Sequence, residues 1–261
     1  MSAKTTIDPR AVVHPGARIG EGVFVGPYCV VSAEATIGDR CRFEAHVVVE
    51  GPVEIGADNV VSPMVSIGGP PQDLKYSGGP TRLVVGDRNR IREFVTLNRG
   101  TEDGGGVTRI GSDNLFMAYC HVGHDCQVSN HTIFANAATL AGHVEVGDEA
   151  SIGAFSGVHQ FCRIARFAFI GGYSVVTRDA LPWVMTVGNR AKSYGLNTVG
   201  LKRRGYPKQT IAALKKCYMK LFRSGLRLED ALNQVESELG EIEEVRYFLE
   251  FVRASERGVC R

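Results

Sequence analysis

No stretch of the chain approaches the roughly 18 consecutive apolar residues that a membrane-spanning helix needs, so no helical span is expected. The first ten residues are polar and lack the apolar core of a secretory signal. Neither sign of charge is in excess: 30 Lys and Arg stand against 28 Asp and Glu, a net charge of +2. Such balance argues against bulk nucleic-acid binding and leaves any affinity for anions to local basic clusters. Cysteine is sparse and odd in number, seven in all. Disulfides are not expected in a chain that shows no signal and is long enough to bury a core unaided. These absences describe a cytoplasmic protein with no nucleic-acid partner and no integral membrane segment. What the sequence has in unusual supply is glycine, 31 of 261 residues.

The glycines belong to an internal repeat. Stepping by six from Ile7 gives Ile7, Val13, Ile19, Val25, Val31, Ile37, Phe43, Val49, Ile55, Val61 and Ile67, eleven apolar positions of which ten are Ile or Val. The phase survives the next 18 residues and resumes at Val85, Ile91 and Leu97. One residue of phase is lost in the stretch Gly104-Gly105-Gly106. A second run then continues through Ile110, Phe116, Val122, Val128, Phe134, Leu140, Val146, Ile152, Val158, Ile164, Ile170 and Val176. Gly often follows the apolar residue, as in Ile19-Gly20, Ile37-Gly38, Ile55-Gly56 and Ile170-Gly171, where a tight corner favours a residue without Cβ. Two residues before the apolar position the side chain is often small, as at Ala11, Ala17, Ala35, Ala138, Ser156, Ala168 and Ser174. Five cysteines occupy that slot: Cys29, Cys41, Cys120, Cys126 and Cys162. They read as buried fillers rather than nucleophiles or metal ligands.

Three hexads make one triangular coil of 18 residues, and coils stack at about one strand spacing, ~4.8 Å. The Ile/Val column fills a narrow interior that suits β-branched side chains. The expected class is mainly β, a parallel β-helix over residues 1–190, followed by a small α-helical C-terminal domain over 191–261. The repeat ends near Pro182. Segments 207–224, 228–239 and 241–255 read as helices, with Ile211, Leu214, Tyr218, Leu221 and Phe222 at helical spacing and breaks at Gly225 and Gly240.

Three features depart from a plain solenoid. Residues 68–82, GGPPQDLKYSGGPTR, have the composition of a loop and present Asp73 and Lys75. An excursion of that length on a rigid scaffold is usually functional, although solvated charges on a polar loop would look the same. Four of the seven histidines, His121, His124, His143 and His159, lie within one short region. Residues 18 apart stack on adjacent coils, which puts His124, Gly142 and Gln160 in one column and Asp125 and His143 in the next. The third feature is GLKRRG at 200–205, whose three consecutive cations suit a diphosphate or form a solvated basic junction. The histidine cluster suggests acyl transfer to an alcohol or amine. A neutral His124 can take the acceptor proton, Asp125 can fix its tautomer, and the Gly142 N–H can donate to the oxyanion. No metal or other cofactor is required. The competing use of His121, His124 and His143 is zinc binding, as in a hexapeptide hydrase.

QDLKY at 72–76, RNRIRE at 88–93, GSDN at 111–114, GHDC at 123–126, ATLAGHV at 138–144, VHQFC at 158–162 and GLKRRG at 200–205 follow one another in this order. Together they resemble the UDP-N-acetylglucosamine O-acyltransferases of lipid A biosynthesis, and the resemblance covers essentially the whole chain. It implies a left-handed β-helix and a cytoplasmic homotrimer. The implied reaction moves an R-3-hydroxyacyl group from acyl carrier protein to the 3-hydroxyl of UDP-N-acetylglucosamine. It implies His124 as general base with Asp125 beside it, and Gly142 as the oxyanion donor. Asp73, Lys75, His121, His143 and Gln160 line the sugar-nucleotide site, with His159 next to them, and Asn197, Arg203 and Arg204 hold the nucleotide end. Phe169, Gly172 and Arg190 fall near the acyl groove. The chain departs from the family pattern at Val199, where a glutamate is usual, and at Arg190, where a histidine helps limit acyl length.

Three other readings remain in view. An enzyme that acylates a 3-amino analogue of the sugar would carry the same motifs. The N-acyltransferase acting two steps later has an added N-terminal uridine-binding domain, for which a repeat beginning at residue 7 leaves no room. A non-catalytic solenoid would have no use for the group formed by His124, Asp125 and Gly142.

Overall fold

A computed structural model of the chain describes residues 4–261. The hexad period appears as strands of two to four residues, most of them ending on an apolar residue of the repeat, joined by short corners. Every third strand pairs in parallel, giving three flat faces of a prism: an eleven-stranded first sheet beginning at Thr6–Ile7, a nine-stranded second sheet beginning at Val12–Val13, and an eight-stranded third sheet beginning at Arg18–Ile19. The repeat residues point inward, and from Val25 to Val176 they are almost wholly buried. The small slot is filled by the five cysteines, which donate weakly to corner carbonyls, as Cys41 does to Gly56 and Cys126 to Ala141. Burial pushes the Cys126 thiol up to about 12 and that of Cys120 to about 11, so neither is a thiolate near neutral pH. On the first-sheet side the same slot takes Asn59, Asn89 and Asn114, buried amides that bond one another and the corner carbonyls.

Most corners hold a left-handed backbone at the third residue after the apolar one, for example Arg40, Asp58, Asp125 and His143, with φ between 56° and 60°. The glycines that follow the apolar residue have another cause. Gly38 has an ordinary φ, but a Cβ there would lie 2.6 Å from the Gly56 carbonyl carbon of the next coil. Close stacking of corners, rather than the turn itself, requires glycine at that point.

Two loops leave the prism. The stacking step is 18 in the first coils, where Val25 pairs with Phe43, but Val61 pairs with Ile91, 30 residues on. Twelve residues therefore leave between strands Ser66–Gly69 and Arg82–Val85, the predicted excursion. The next step, Ile91 to Phe116, is 25. The one-residue phase slip is thus an insertion of seven extra residues in the connection between Thr96–Asn98 and Val107–Ile110, one whole hexad and one residue more.

Parallel stacking runs past Pro182 on the first sheet, where Phe169 pairs with Met185, and a hairpin then joins Val184–Val187 to Lys192–Leu196. Four helices follow: α1 Thr198–Arg203, α2 Lys208–Arg223, α3 Leu228–Leu239 and α4 Glu243–Arg253. Helix α1 was not expected; it carries most of the basic segment 200–205. The last three helices pack around Leu214, Leu232, Val245 and Phe248, and this second core reaches the end of the prism through Phe167 and Trp183. No helix among the described residues is long and apolar enough to cross a membrane.

Candidate active site

Strand His121–Val122 lies on the second sheet, and the chain turns toward the third sheet at Gly123, His124 and Asp125. Asp125, His143 and Phe161 hold the same left-handed corner position on successive coils, with φ of 58°, 60° and 63°. The columns expected from the 18-residue step form here because both loops lie below this level.

His124 Nδ1 is 2.8 Å from Asp125 Oδ2, and the side chains are 13% and 1% exposed. A carboxylate accepts, so this contact puts the proton on Nδ1 and leaves the Nε2 lone pair free. His143 meets the His124 ring edge-on at 5.0 Å, donates its backbone N–H to the His124 carbonyl, and stacks on Phe161 at 4.4 Å. Burial lowers the His143 pKa, while Asp125 and Asp73 pull it back up. Burial also lowers His121, with the charge of His124 acting the same way; its Nδ1 is 2.7 Å from Thr96 Oγ1. Both rings are thereby held toward the neutral form.

Gly142 sits directly against His124. A Cβ at this position would fall 2.4 Å from Cε1 and 2.5 Å from Nε2 of the imidazole. The Gly142 N–H donates to no group among the described residues. At the corner between the third and first sheets the equivalent N–H groups are taken by the next coil: Asp39 accepts from Glu21, Asp87 from Ala57 and Asp148 from Asn130. At Gly142 the next coil offers Gln160, which is exposed and makes no such bond.

Asp73 is half-buried on its loop, accepts from the Lys75 N–H at 3.0 Å, and lies near enough to act on His143. Lys75 is exposed. His159 is exposed, with Nδ1 3.0 Å from the Gln160 carbonyl and 3.5 Å from Arg257. Asn197, Arg203 and Arg204 are not in this cluster. They line a separate groove of about 390 Å³ on the first-sheet face, with Phe169, Met185 and Val199. Asn197 caps α1 by accepting from the Gly200 N–H, and Arg204 pairs with Glu149 at 3.2 Å. Of the acyl-groove candidates, Phe169 belongs to this second groove. Gly172 lies at the following corner, exposed, and Arg190 sits exposed in the hairpin whose Gly188 carbonyl accepts from Val175.

Two features were not read from the sequence: Phe161 stacking on His143, which the 18-residue step does place in one column, and the inserted loop that reaches Asp125. The carboxylate accepts from the Thr101 N–H and hydroxyl at 3.0 and 2.6 Å, while Asp125 N–H donates to Thr108 Oγ1 at 2.7 Å. By distance alone a metal would be held by His124, Asp125 and His143, whose ligand atoms lie within 4.8 Å of one another. His121 is not in that group, and Asp125 Oδ2 already accepts from Thr101 and His124. The arrangement suits proton transfer at His124 beside a free N–H donor.

Comparison with known proteins identifies the family. A family model described as "Udp N-acetylglucosamine O-acyltransferase; Domain 2" matches residues 179–260, and one for the bacterial transferase hexapeptide matches residues 2–33. The chain is 48% identical over 255 residues to the acyl-[acyl-carrier-protein]–UDP-N-acetylglucosamine O-acyltransferase of Thermodesulfovibrio yellowstonii, covering 98% of this chain and 99% of that one. It is 49% identical over 257 residues to the enzyme of the same name from Alkalilimnicola ehrlichii, covering 98% and 100%. Among solved structures it is similar to LpxA from Acinetobacter baumannii, with a TM-score of 0.95, 41% identity, and coverage of 98% and 99%. The fold is the left-handed parallel β-helix with a helical C-terminal end. The chain belongs to the acyl-[acyl-carrier-protein]–UDP-N-acetylglucosamine O-acyltransferase family.

Proposed function

We propose that the enzyme transfers an R-3-hydroxyacyl group from acyl carrier protein to the 3-hydroxyl of UDP-N-acetylglucosamine, the first step of lipid A biosynthesis, with His124 as general base. The observation that carries this reading is the His124–Asp125 pair, bonded at 2.8 Å and set against the free N–H of Gly142. His124 Nε2 takes the acceptor hydroxyl proton as the oxygen attacks the thioester carbonyl. Asp125 stabilises the imidazolium that forms. The Gly142 N–H donates to the tetrahedral oxyanion. Collapse breaks the carbon–sulfur bond, and the imidazolium returns its proton to the leaving sulfur.

The working unit in this reading is a homotrimer. His124 lies at the corner between the second and third sheets, while Asn197, Arg203 and Arg204 line the face of the first. A second chain presenting its first-sheet face to that corner would complete one sugar-nucleotide site. Exposed apolar side chains ask for the same cover. Tyr28, Met64, Phe94, Tyr119, Phe155 and Tyr173 stand exposed in a column along one prism edge, and Leu74 stands fully exposed between Asp73 and Lys75. The acyl chain would lie in the apolar slot between neighbours, with Gly172 and Arg190 toward its end. Seven buried, unpaired cysteines suit the cytoplasm.

The test is turnover of 3-hydroxyacyl carrier protein by the purified protein, with UDP-N-acetylglucosamine and its 3-amino analogue compared as acceptors. His124→Ala should lose at least about 10²-fold in kcat while still binding UDP-N-acetylglucosamine. Near-normal turnover by that variant would move the base to His121 or His143. Preference for the amino sugar would reassign the acceptor. A metal chelator should leave the rate unchanged.

A further inference from the structure

We propose that Thr101 is a positioning residue for the reaction, and that its loop latches the loop bearing Asp73 and Lys75 to the Asp125 carboxylate. The inference rests on the reading of His124 as base. The eight-residue loop between Asn98 and Val107 does more than cover a corner. It wraps the one buried carboxylate of the site, and nothing else in that cluster bonds Asp125 as fully. The Thr101 N–H donates to Oδ1 at 3.0 Å and to Oδ2 at 3.2 Å, and the Thr101 hydroxyl donates to Oδ2 at 2.6 Å. Oδ2 is the oxygen that faces His124 Nδ1. The Thr101 hydroxyl is itself oriented by the Gly104 N–H at 3.1 Å.

The loop approaches so closely that two of its residues have no room for a side chain. A Cβ on Gly104 would lie 2.1 Å from the Asp125 carboxyl carbon, and one on Gly100 would lie 2.7 Å from Oδ1. On its other side the loop grips the first excursion. Glu102 Oε1 accepts from the Gly79 N–H at 2.6 Å and from the Ser77 hydroxyl at 3.0 Å. Arg99 donates to the Gly68 carbonyl at 2.7 Å and to the Tyr76 hydroxyl at 3.3 Å. A continuous bonded chain thus runs from the Asp73–Lys75 loop through Glu102 and Thr101 to Asp125 and His124. Such a chain fixes the base and the substrate loop as one body, and hydrogen bonds to a buried charge are the strong ones.

Thr101→Val keeps the shape and the backbone N–H but removes the hydroxyl. It should lower kcat by about tenfold or more, the scale of one hydrogen bond to a charged group, with the KM for UDP-N-acetylglucosamine changed by less than about twofold. Thr101→Ser should restore most of the rate. Glu102→Gln should raise the KM for the sugar nucleotide several-fold and change kcat less, because it loosens the loop and leaves the carboxylate clamp. Wild-type kcat in Thr101→Val, or failure of Ser to restore a lost rate in protein of normal melting temperature, would overturn the positioning role. If Thr101→Val does not fold, the Ser variant and Glu102→Gln decide: a Ser variant as slow as His124→Ala, or an unchanged KM in Glu102→Gln, defeats the proposal. His124→Ala in the same assay separates the two ideas, since an active His124→Ala sinks the base itself, whereas an inactive one beside a fully active Thr101→Val sinks only the clamp.

Discussion

Replacing Gly142 by alanine adds one methyl group directly against the His124 ring. The methyl carbon would sit 2.4 Å from His124 Cε1, 2.5 Å from Nε2 and 3.0 Å from Nδ1. Contacts between such atoms relax to about 3.5 Å, so the imidazole must move by roughly 1 Å or swing off the Asp125 carboxylate, now 2.8 Å away. A displacement of that size from a near-attack geometry costs about 10²-fold in rate. Gly142 does not have a left-handed φ, so alanine fits its backbone, and the less flexible unfolded chain offsets part of any strain. The expected result is a folded protein, within a few degrees of the wild-type melting temperature, that binds UDP-N-acetylglucosamine and has lost about 10²-fold in kcat. The assay is steady-state transfer from 3-hydroxyacyl carrier protein, paired with calorimetric binding of the acceptor. Wild-type kcat in Gly142→Ala would mean that the ring position is immaterial and that His124 does not serve the chemistry as argued.

Arg203→Ala and Arg204→Ala each remove a charge-assisted contact worth about 1.5 to 3 kcal/mol if desolvated, and the loss should appear in the KM for sugar nucleotide. Arg204 already pairs with Glu149, so its effect should be the smaller; a fall in kcat with KM untouched would assign both to another task. Gly172→Met should shift preference toward shorter acyl chains and Arg190→Ala toward longer ones, graded at about 1 to 3 kcal/mol per methylene. Unchanged kcat/KM across a ladder of 3-hydroxyacyl donors would place the ruler elsewhere. Burial lowers the pKa of His121 and of His143 below the ordinary 6.5. The unfolded chain then binds more protons than the native protein as pH falls through that value, so stability should drop as pH falls through 6.5 and level off once the folded groups titrate below it. The slope of melting temperature against pH should be shallower in His121→Gln, and an equal slope would put its cause in other groups.

The hexad pattern by itself determined the solenoid. Each strand contributes one inward apolar residue per six, so the period is local and survives any change in what surrounds it. The same arithmetic placed His124 beside Gly142 and Asp125 beside His143, because from Ile110 to Val176 each coil holds 18 residues. Counting by six also concealed something. A loop of seven extra residues shifts the phase by one, so the sequence showed a slip where a hexad had left the prism. Only the folded path of that loop brings Thr101 to Asp125 across 24 positions and leaves Gly100 and Gly104 no room for side chains. Helix α1 was equally hidden, since six residues containing Gly200 carry no apolar period to read. Which face of the prism each residue occupies was likewise a tertiary matter. The cations of 200–205 come after the histidines in the motif order, and the hairpin at Val184–Val187 carries them onto the first sheet, away from His124. Periodicity is a property of the chain; the approach of two loops and the choice of a face depend on where the chain goes between its repeats.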